Sequence, residues 1–223
     1  MQEVTKRRGA FIVFEGGEGT GKSTQAHLLR DRLQDLGREV LLTREPGGTD
    51  LGERLREIIL RPSTRDPNAS AASSLPHMTA AAELFLFLAA RAELVSEIIR
   101  PALAGGTIVV CDRYNDSTIA YQGYGRGLDL EAVRRACDLA TGGLRPDLSI
   151  LLDLPVDAGL ARKAVGGEWD AIGDESRDFH ERVRRGFHEL VDAEPKRWLV
   201  VDATLPIEDV SEMIWERVRA LAG

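Results

Sequence analysis

The segment Gly16-Gly17-Glu18-Gly19-Thr20-Gly21-Lys22-Ser23 sets small, cationic and hydroxyl residues at a spacing suited to a chain of phosphates. It fits G-x-x-x-x-G-K-[ST], in which a glycine-rich turn aims successive backbone N–H groups into one concavity. A helix that starts at the turn adds its positive end to the same concavity. In this pattern Lys22 reaches the β- and γ-phosphates of a nucleoside triphosphate, and Ser23 holds Mg²⁺. The flanking residues agree with it. Ala10-Phe11-Ile12-Val13-Phe14 is an apolar run of strand length, and residues 25–36 place Leu28, Leu29, Leu33 and Leu36 at helical spacing before Gly37.

A second group lies at Ile108-Val109-Val110-Cys111-Asp112-Arg113, a buried strand pattern that ends in an acid. A carboxylate there is the usual partner of a phosphate loop at Mg²⁺, and the adjoining Arg113 suits bidentate phosphate binding. Thr43-Arg44-Glu45-Pro46-Gly47-Gly48-Thr49 offers another arginine, Arg44, beside a glycine pair. Spacing alone leaves a phosphate contact and an ordinary turn equally open. Phe87 and Arg91 are four apart, so they share a helix face on which a base can stack and be hydrogen-bonded. On spacing alone a core helix with one solvated arginine is the better reading. Residues 112–127 (DRYNDSTIAYQGYGRG) crowd hydroxyls, amides and tyrosines together, as a polar pocket or a polar loop would.

These residues need a frame. Strand patterns fall at 11–15, 39–43, 107–111, 148–153 and 198–202. Helical patterns fall between and after them at 50–60, 80–104, 130–140, 157–165, 177–193 and 207–221. Such alternation predicts an α/β fold with a parallel sheet covered on both faces. Ligands in such sheets bind at the carboxyl ends of the strands, where the phosphate loop, Asp112 and Asp153 all fall. Residues 61–77, rich in Pro, Ser, Asn and Ala, read as a mobile surface loop. Residues 166–175 read as a flexible connector or as a lid over a nucleotide.

A chain of 223 residues suits one α/β domain better than two. With 29 Lys plus Arg against 36 Asp plus Glu the net charge is −7, which disfavours non-specific nucleic-acid binding. Phosphates must therefore be met by local placement of cations and backbone N–H groups. Cys111 and Cys137 have neither metal-ligand nor CxxC spacing, which points to reduced thiols and a cytoplasmic protein. His27, His77, His180 and His188 form no ligand cluster and read as ordinary helix or loop residues. Residues 1–8 are polar and basic, unlike a secretory signal, and no apolar run reaches membrane-spanning length.

Taken together, the segments FEGGEGTGKST, TREPGGT, AELFLFLAAR, VVCDRYNDSTIAYQGYGRG, LLDLPVDAGLAR and VDAT resemble the bacterial thymidylate kinase family. They run in the expected order from about residue 11 to residue 204, and DRY…S-x-x-A-Y-Q-G is their most specific element. The resemblance implies a five-stranded P-loop kinase core as one domain over 1–223. A lid would lie at about 165–176 and an irregular loop at about 61–78. It implies ATP and Mg²⁺ as cofactors, and dTMP as acceptor. It also implies a homodimer packed through helices that include 83–100, with no nucleic-acid or membrane partner.

The same resemblance assigns roles. Gly16, Gly17, Glu18, Gly19, Thr20, Gly21, Lys22, Ser23 and Thr24 would hold ATP, and Ser23 with Asp112 the metal. Glu18 would approach the acceptor sugar's 3′-hydroxyl. Phe87 would stack on thymine, Arg91 would contact its carbonyl edge, and Thr118 would help read the base. Tyr121 would lie beneath the deoxyribose, with Ser117 and Gln122 of the same segment joining the acceptor site. Arg44 and Arg113 would grip the acceptor phosphate. The chain departs from the family at the lid. No arginine stands within the phosphate loop, which implies that the lid supplies one, yet Ala171 occupies the place where the lid arginine is expected. An arginine at the transferring phosphoryl group is worth roughly 10³–10⁵ in rate in related systems. Arg162 is the expected substitute, with Lys163 beside it; slow turnover or another residue are the alternatives.

Two other functions fit parts of the pattern. One is a kinase acting on dUMP, CMP or a deoxynucleoside. The other is a nucleotide-gated switch, although no Asn-Lys-x-Asp run is present to read guanine.

Overall fold

The computed structural model describes residues 9–60, 78–166 and 172–222. The expected loop at 61–77, with His77, and the lid stretch 167–171, with Ala171, lie outside the described residues.

β1 (Phe11–Glu15) is buried along its whole length. A strand sends successive side chains to opposite faces, so an unbroken apolar run suits a strand covered on both sides. The chain continues through α1 (Lys22–Asp35), β2 (Val40–Arg44), α2 (Asp50–Ile59), α3 (Ala80–Leu94), α4 (Arg100–Gly105) and β3 (Ile108–Asp112). α5 (Asn115–Thr118), α6 (Leu130–Thr141), β4 (Leu148–Asp153), α7 (Val156–Gly166), α8 (Arg177–Ala193), β5 (Trp198–Asp202) and α9 (Ile207–Ala222) follow. The strands form one parallel sheet in the order β2-β3-β1-β4-β5.

On one face Leu29 and Leu33 of α1 and Val210, Ile214 and Val218 of α9 pack over Ile12, Phe14 and Ile150. On the other, Leu94, Val95 and Ile99 cover Phe11, Val13, Val109 and Cys111. From β1 the chain winds out to β2 and back to β3 on one side, then to β4 and β5 on the other. That reversal opens a crevice at the carboxyl end of β1.

The boundaries of β2 and β3 lie one residue later than the patterns predict, and α1 begins at Lys22. The strand shift has a consequence for the site, because Arg44 pairs in register with Asp112. The helix expected over 80–104 is realised as α3 and α4 joined by a π-helical turn, Val95–Ile99. The Arg100 N–H donates to the Val95 carbonyl five residues back. Pro101 follows and has no N–H, so the ordinary ladder cannot continue there and a wider turn takes it up.

Residues 115–125, which the sequence leaves open as a pocket wall or a polar loop, are helical: α5 runs into a second π-helical stretch, Ile119–Gly125. Glycine, serine and threonine give this segment little intrinsic helicity. Burial supplies what propensity lacks, for Thr118, Ala120 and Gln122 are almost wholly enclosed. Two glycines allow α8 to approach. A Cβ at Gly125 would stand 2.6 Å from the Phe179 ring, and one at Gly186 would stand 2.6 Å from the Tyr124 ring. Of the described histidines, His27 lies in α1, and His180 and His188 lie in α8. No described helix is long and apolar enough to cross a membrane.

Gly186→Ala is expected to force α8 away from Tyr124 and to destabilise the fold by about 1–3 kcal/mol. The denaturant midpoint reads this directly, and an unchanged midpoint would show that the contact yields freely.

Candidate active site

A cavity of about 470 Å³ opens at the carboxyl ends of β1, β2 and β3. Its size is that of a small-molecule site. One end is the phosphate loop. Gly16, Gly19 and Gly21 have φ of 142°, 65° and 87°, where a side chain would be strained. Lys22 Nζ donates to the Gly17 carbonyl at 2.6 Å and to Thr20 Oγ1 at 3.3 Å. Burial, then the nearby charge of Arg113, pushes its pKa down to about 8. Thr24 also lines the cavity.

Ser23 Oγ donates to Asp112 Oδ2 at 2.5 Å, so the loop hydroxyl and the β3 carboxylate meet at the cavity. Oxygen donors of this kind suit Mg²⁺, which keeps several waters and shares its shell with substrate phosphates. Among the described residues no group of three or more His, Cys, Asp or Glu side chains forms a closed metal cage.

Glu18 is the anionic centre of the mouth. It accepts from Arg113 Nη2 at 3.0 Å, from Lys163 Nζ at 2.7 Å and from the Tyr121 hydroxyl at 3.0 Å. Burial would raise its pKa, but Arg113, Lys22 and Lys163 outweigh burial and hold it well below the usual carboxylate range. Burial also pushes the Tyr121 phenol far up, which keeps it a neutral donor. Arg113 itself has φ 74°, an uncommon conformation for a residue with a side chain. Its guanidinium donates to the Gly16 carbonyl at 3.0 Å and to Ser117 Oγ at 3.2 Å. It lies 5.0 Å from the centre of the Tyr121 ring.

The far end of the cavity is lined by Phe87, Arg91, Thr118 and Gln122. The solvated arginine that spacing favours is not what forms: Arg91 is 1% exposed. Its Nε donates to Glu45 Oε2 at 2.6 Å, Nη1 to Thr118 Oγ1 at 2.7 Å and Nη2 to the Tyr114 carbonyl at 3.1 Å. Burial works against its charge, but Glu45 more than offsets this. Gln122 Nε2 donates to Glu83 Oε1 at 2.8 Å, and Arg126 forks onto the same carboxylate at 2.8 and 3.1 Å. Arg44 lines the cavity from its exposed rim and donates to Glu53 at 3.1 Å.

Arg162 and Lys163, neighbours on α7, both reach this cavity. Lys163 is engaged by Glu18, whereas Arg162 Nη1 donates to the Ala203 carbonyl at 2.9 Å. Arg162 also lines a second cavity of about 360 Å³ on the other side of the loop, with Ala203, Leu205 and Ile207. Asp153, at the carboxyl end of β4, is turned to other use. It accepts both arms of Arg184 at 2.8 Å and ties β4 to α8.

Sequence reading passed over Glu15, Glu45, Glu83 and Arg126. Glu15 is fully buried, and burial, then the Asp116 charge, pushes its pKa up to about 8. An acid ending a wholly apolar strand was a usable signal for Glu15, as was an acid between Arg44 and Pro46 for Glu45. Glu83 looks like any acid in a first helical turn, and nothing local marks it.

The comparisons with known proteins agree with this geometry. A family model described as thymidylate kinase matches residues 14–214. The chain is similar to a thymidylate kinase of Desulfovibrio desulfuricans, 51% identical over 210 residues and 90% of each chain. It is 50% identical over 209 residues to one of Thermomicrobium roseum, covering 93% of each chain. It is also 46% identical over 211 residues to one of Deinococcus radiodurans, covering 95% of this chain and 97% of that one. With a phosphate loop, a buried arginine at the far end of the cavity and relatives aligned across nearly its whole length, the chain belongs to the thymidylate kinase family.

Proposed function

We propose that this chain transfers the γ-phosphoryl group of ATP to dTMP, releasing ADP and dTDP for dTTP synthesis. The observation that carries the reading is the junction of two unlike surfaces in one cavity. Lys22, Arg113 and the loop amides gather cationic and N–H donors at one end. At the other, Phe87 offers a ring while Arg91 and Thr118 offer fixed polar groups.

The acceptor is already a phosphate anion, so no strong general base is required. The main barrier is bringing negative oxygens together. Lys22 and Arg113 would neutralise them, and the buried mouth would strengthen that effect by excluding water. Glu18 would orient Arg113 and Tyr121 beneath the acceptor sugar, and Arg44 would assist at the acceptor phosphate from the rim. Ser117 and Gln122 would complete the acceptor site. Ser23 and Asp112 would hold Mg²⁺, which when bound supplies Lewis-acid neutralisation of phosphate oxygens. Arg162, placed between the two cavities, would be the cation for the transferring group, and the second cavity would take the nucleoside of ATP. The whole chain would act as one kinase domain, in the cytoplasm, as a homodimer.

ADP release measured with ATP, Mg²⁺ and a panel of dTMP, dUMP, dCMP, CMP, UMP, AMP and GMP should show strong preference for dTMP. Release without acceptor preference would overturn the reading. Because the free Lys22 ammonium titrates at about 8, it is cationic below that pH and loses its charge above it. The kcat/KM for ATP should therefore fall as pH rises through about 8, since this parameter reports the free enzyme. A flat profile to pH 10 would separate Lys22 from ATP capture. Arg91→Lys keeps a cation beside the buried Glu45 but loses the planar fork. It should raise the KM for dTMP about tenfold while leaving that for ATP unchanged; equal rises would place the base elsewhere.

A further inference from the structure

Arg113 holds a left-handed backbone, φ 74°, that a residue with a side chain adopts only when its surroundings impose it. The contacts that impose it converge on one buried group. Glu15 Oε1 accepts the backbone N–H of Tyr114 at 2.9 Å and that of Ser117 at 3.2 Å. Glu15 Oε2 and Ser117 Oγ share a hydrogen bond of 2.5 Å. Ser117 Oγ in turn accepts from Arg113 Nη1 at 3.2 Å. A single carboxyl thus holds the backbone just after Arg113, at residues 114 and 117, and reaches its guanidinium through one hydroxyl.

Glu15 is also the residue before Gly16, whose carbonyl is the other acceptor for Arg113 Nη1, at 3.0 Å. The Arg113 N–H donates to the Phe14 carbonyl at 2.9 Å. Three consecutive residues, 14 to 16, therefore set the backbone and the guanidinium of Arg113 together. A carboxyl placed there only to stabilise the sheet would not need the serine relay.

The geometry points to Glu15 as a positioning residue that, through Ser117, aims Arg113 at the acceptor's phosphate. This inference rests on the dTMP reading above. It separates the acceptor's phosphate from its nucleoside: the base end is lined by Phe87, Arg91, Thr118 and Gln122, and Arg91 meets the relay segment at the Tyr114 carbonyl and Thr118, not at the side chains of Glu15 or Ser117.

The test is calorimetric titration of the full-length protein with dTMP and with thymidine. Glu15→Asp keeps the acid but withdraws it by one methylene, about 1.5 Å. Ser117→Ala removes the relay and leaves β1 intact, so it serves if the first variant folds poorly. Each variant should bind dTMP about tenfold more weakly and thymidine as the parent does. The double variant should be no worse than Ser117→Ala alone, as expected of residues acting in series. Equal losses for both ligands, additive losses or no loss would overturn the inference. Failure of the parent protein to bind dTMP would instead sink the acceptor reading, and this inference with it.

Discussion

Cations must stand close together at the mouth of the cavity, and their mutual repulsion is the constraint that the site is built around. Burial, and then the Arg113 charge, pushes the Lys22 pKa down, and Lys163 reaches the same mouth from α7. Glu18 makes this arrangement tolerable by accepting from Arg113 and Lys163 at once. Its carboxylate sits within a turn whose glycines let the backbone bend around it. The cost of desolvating Glu18 is more than returned by three positive neighbours. The site is thus charged but locally balanced, which fits an acidic protein that must still receive anions.

The sheet turns this local chemistry into a geometry. Register pairs Phe14 with Asp112 and Arg44 with Asp112, so the ends of β1, β2 and β3 are level. The phosphate loop, Asp112 and the rim arginine then meet without long side-chain reach. Two buried carboxyls do the remaining alignment. Glu45 engages Arg91 from the end of β2, while Glu83 fixes the amide of Gln122 and is itself held by Arg126. The Arg91–Glu45 contact is enclosed, where an unpaired partner would be strongly unfavourable, whereas Arg126 is partly exposed. Among the described residues Glu45 Oε1 is buried with no hydrogen-bond partner, which leaves Arg91 as the dominant contact of this carboxyl.

Packing against α8 supports the cavity wall formed by residues 115–125. The helical segment 115–125 has weak local propensity, and it is held by Phe179, Val183 and Phe187. Arg126 lies 4.8 Å from the Phe179 ring centre, so the residue that steadies Glu83 also rests on this interface. Tyr121 packs edge-on to Phe179 and Phe187 while its hydroxyl meets Glu18. One side chain therefore joins the hydrophobic layer to the anionic centre.

The order of strands and helices was legible because β1 and β3 are apolar up to a terminal acid, β4 is apolar but for Ser149 and its terminal acid, and the helices between them are periodic. The phosphate loop was legible for a different reason, since backbone curvature needs glycine at set positions and leaves a local mark. The acid ending β3 and the Phe87–Arg91 pair could be found by spacing, but their environments could not. Whether Arg91 is solvated depends on Glu45, Thr118 and Tyr114, which come from two other parts of the chain. The helix at 115–125 escaped because its stability is tertiary: α8 and two glycines supply what its residues lack. Glu83 escaped because a carboxylate has no periodicity; Glu15 was visible as the acid ending an apolar strand, but its role is set by which N–H and hydroxyl groups the fold brings to it. Sequence alone thus determined the chain's elements and its phosphate chemistry, which are matters of local backbone preference. The tertiary structure decided which charges are buried against which, because burial and distance, not residue type, set the strength of an electrostatic contact.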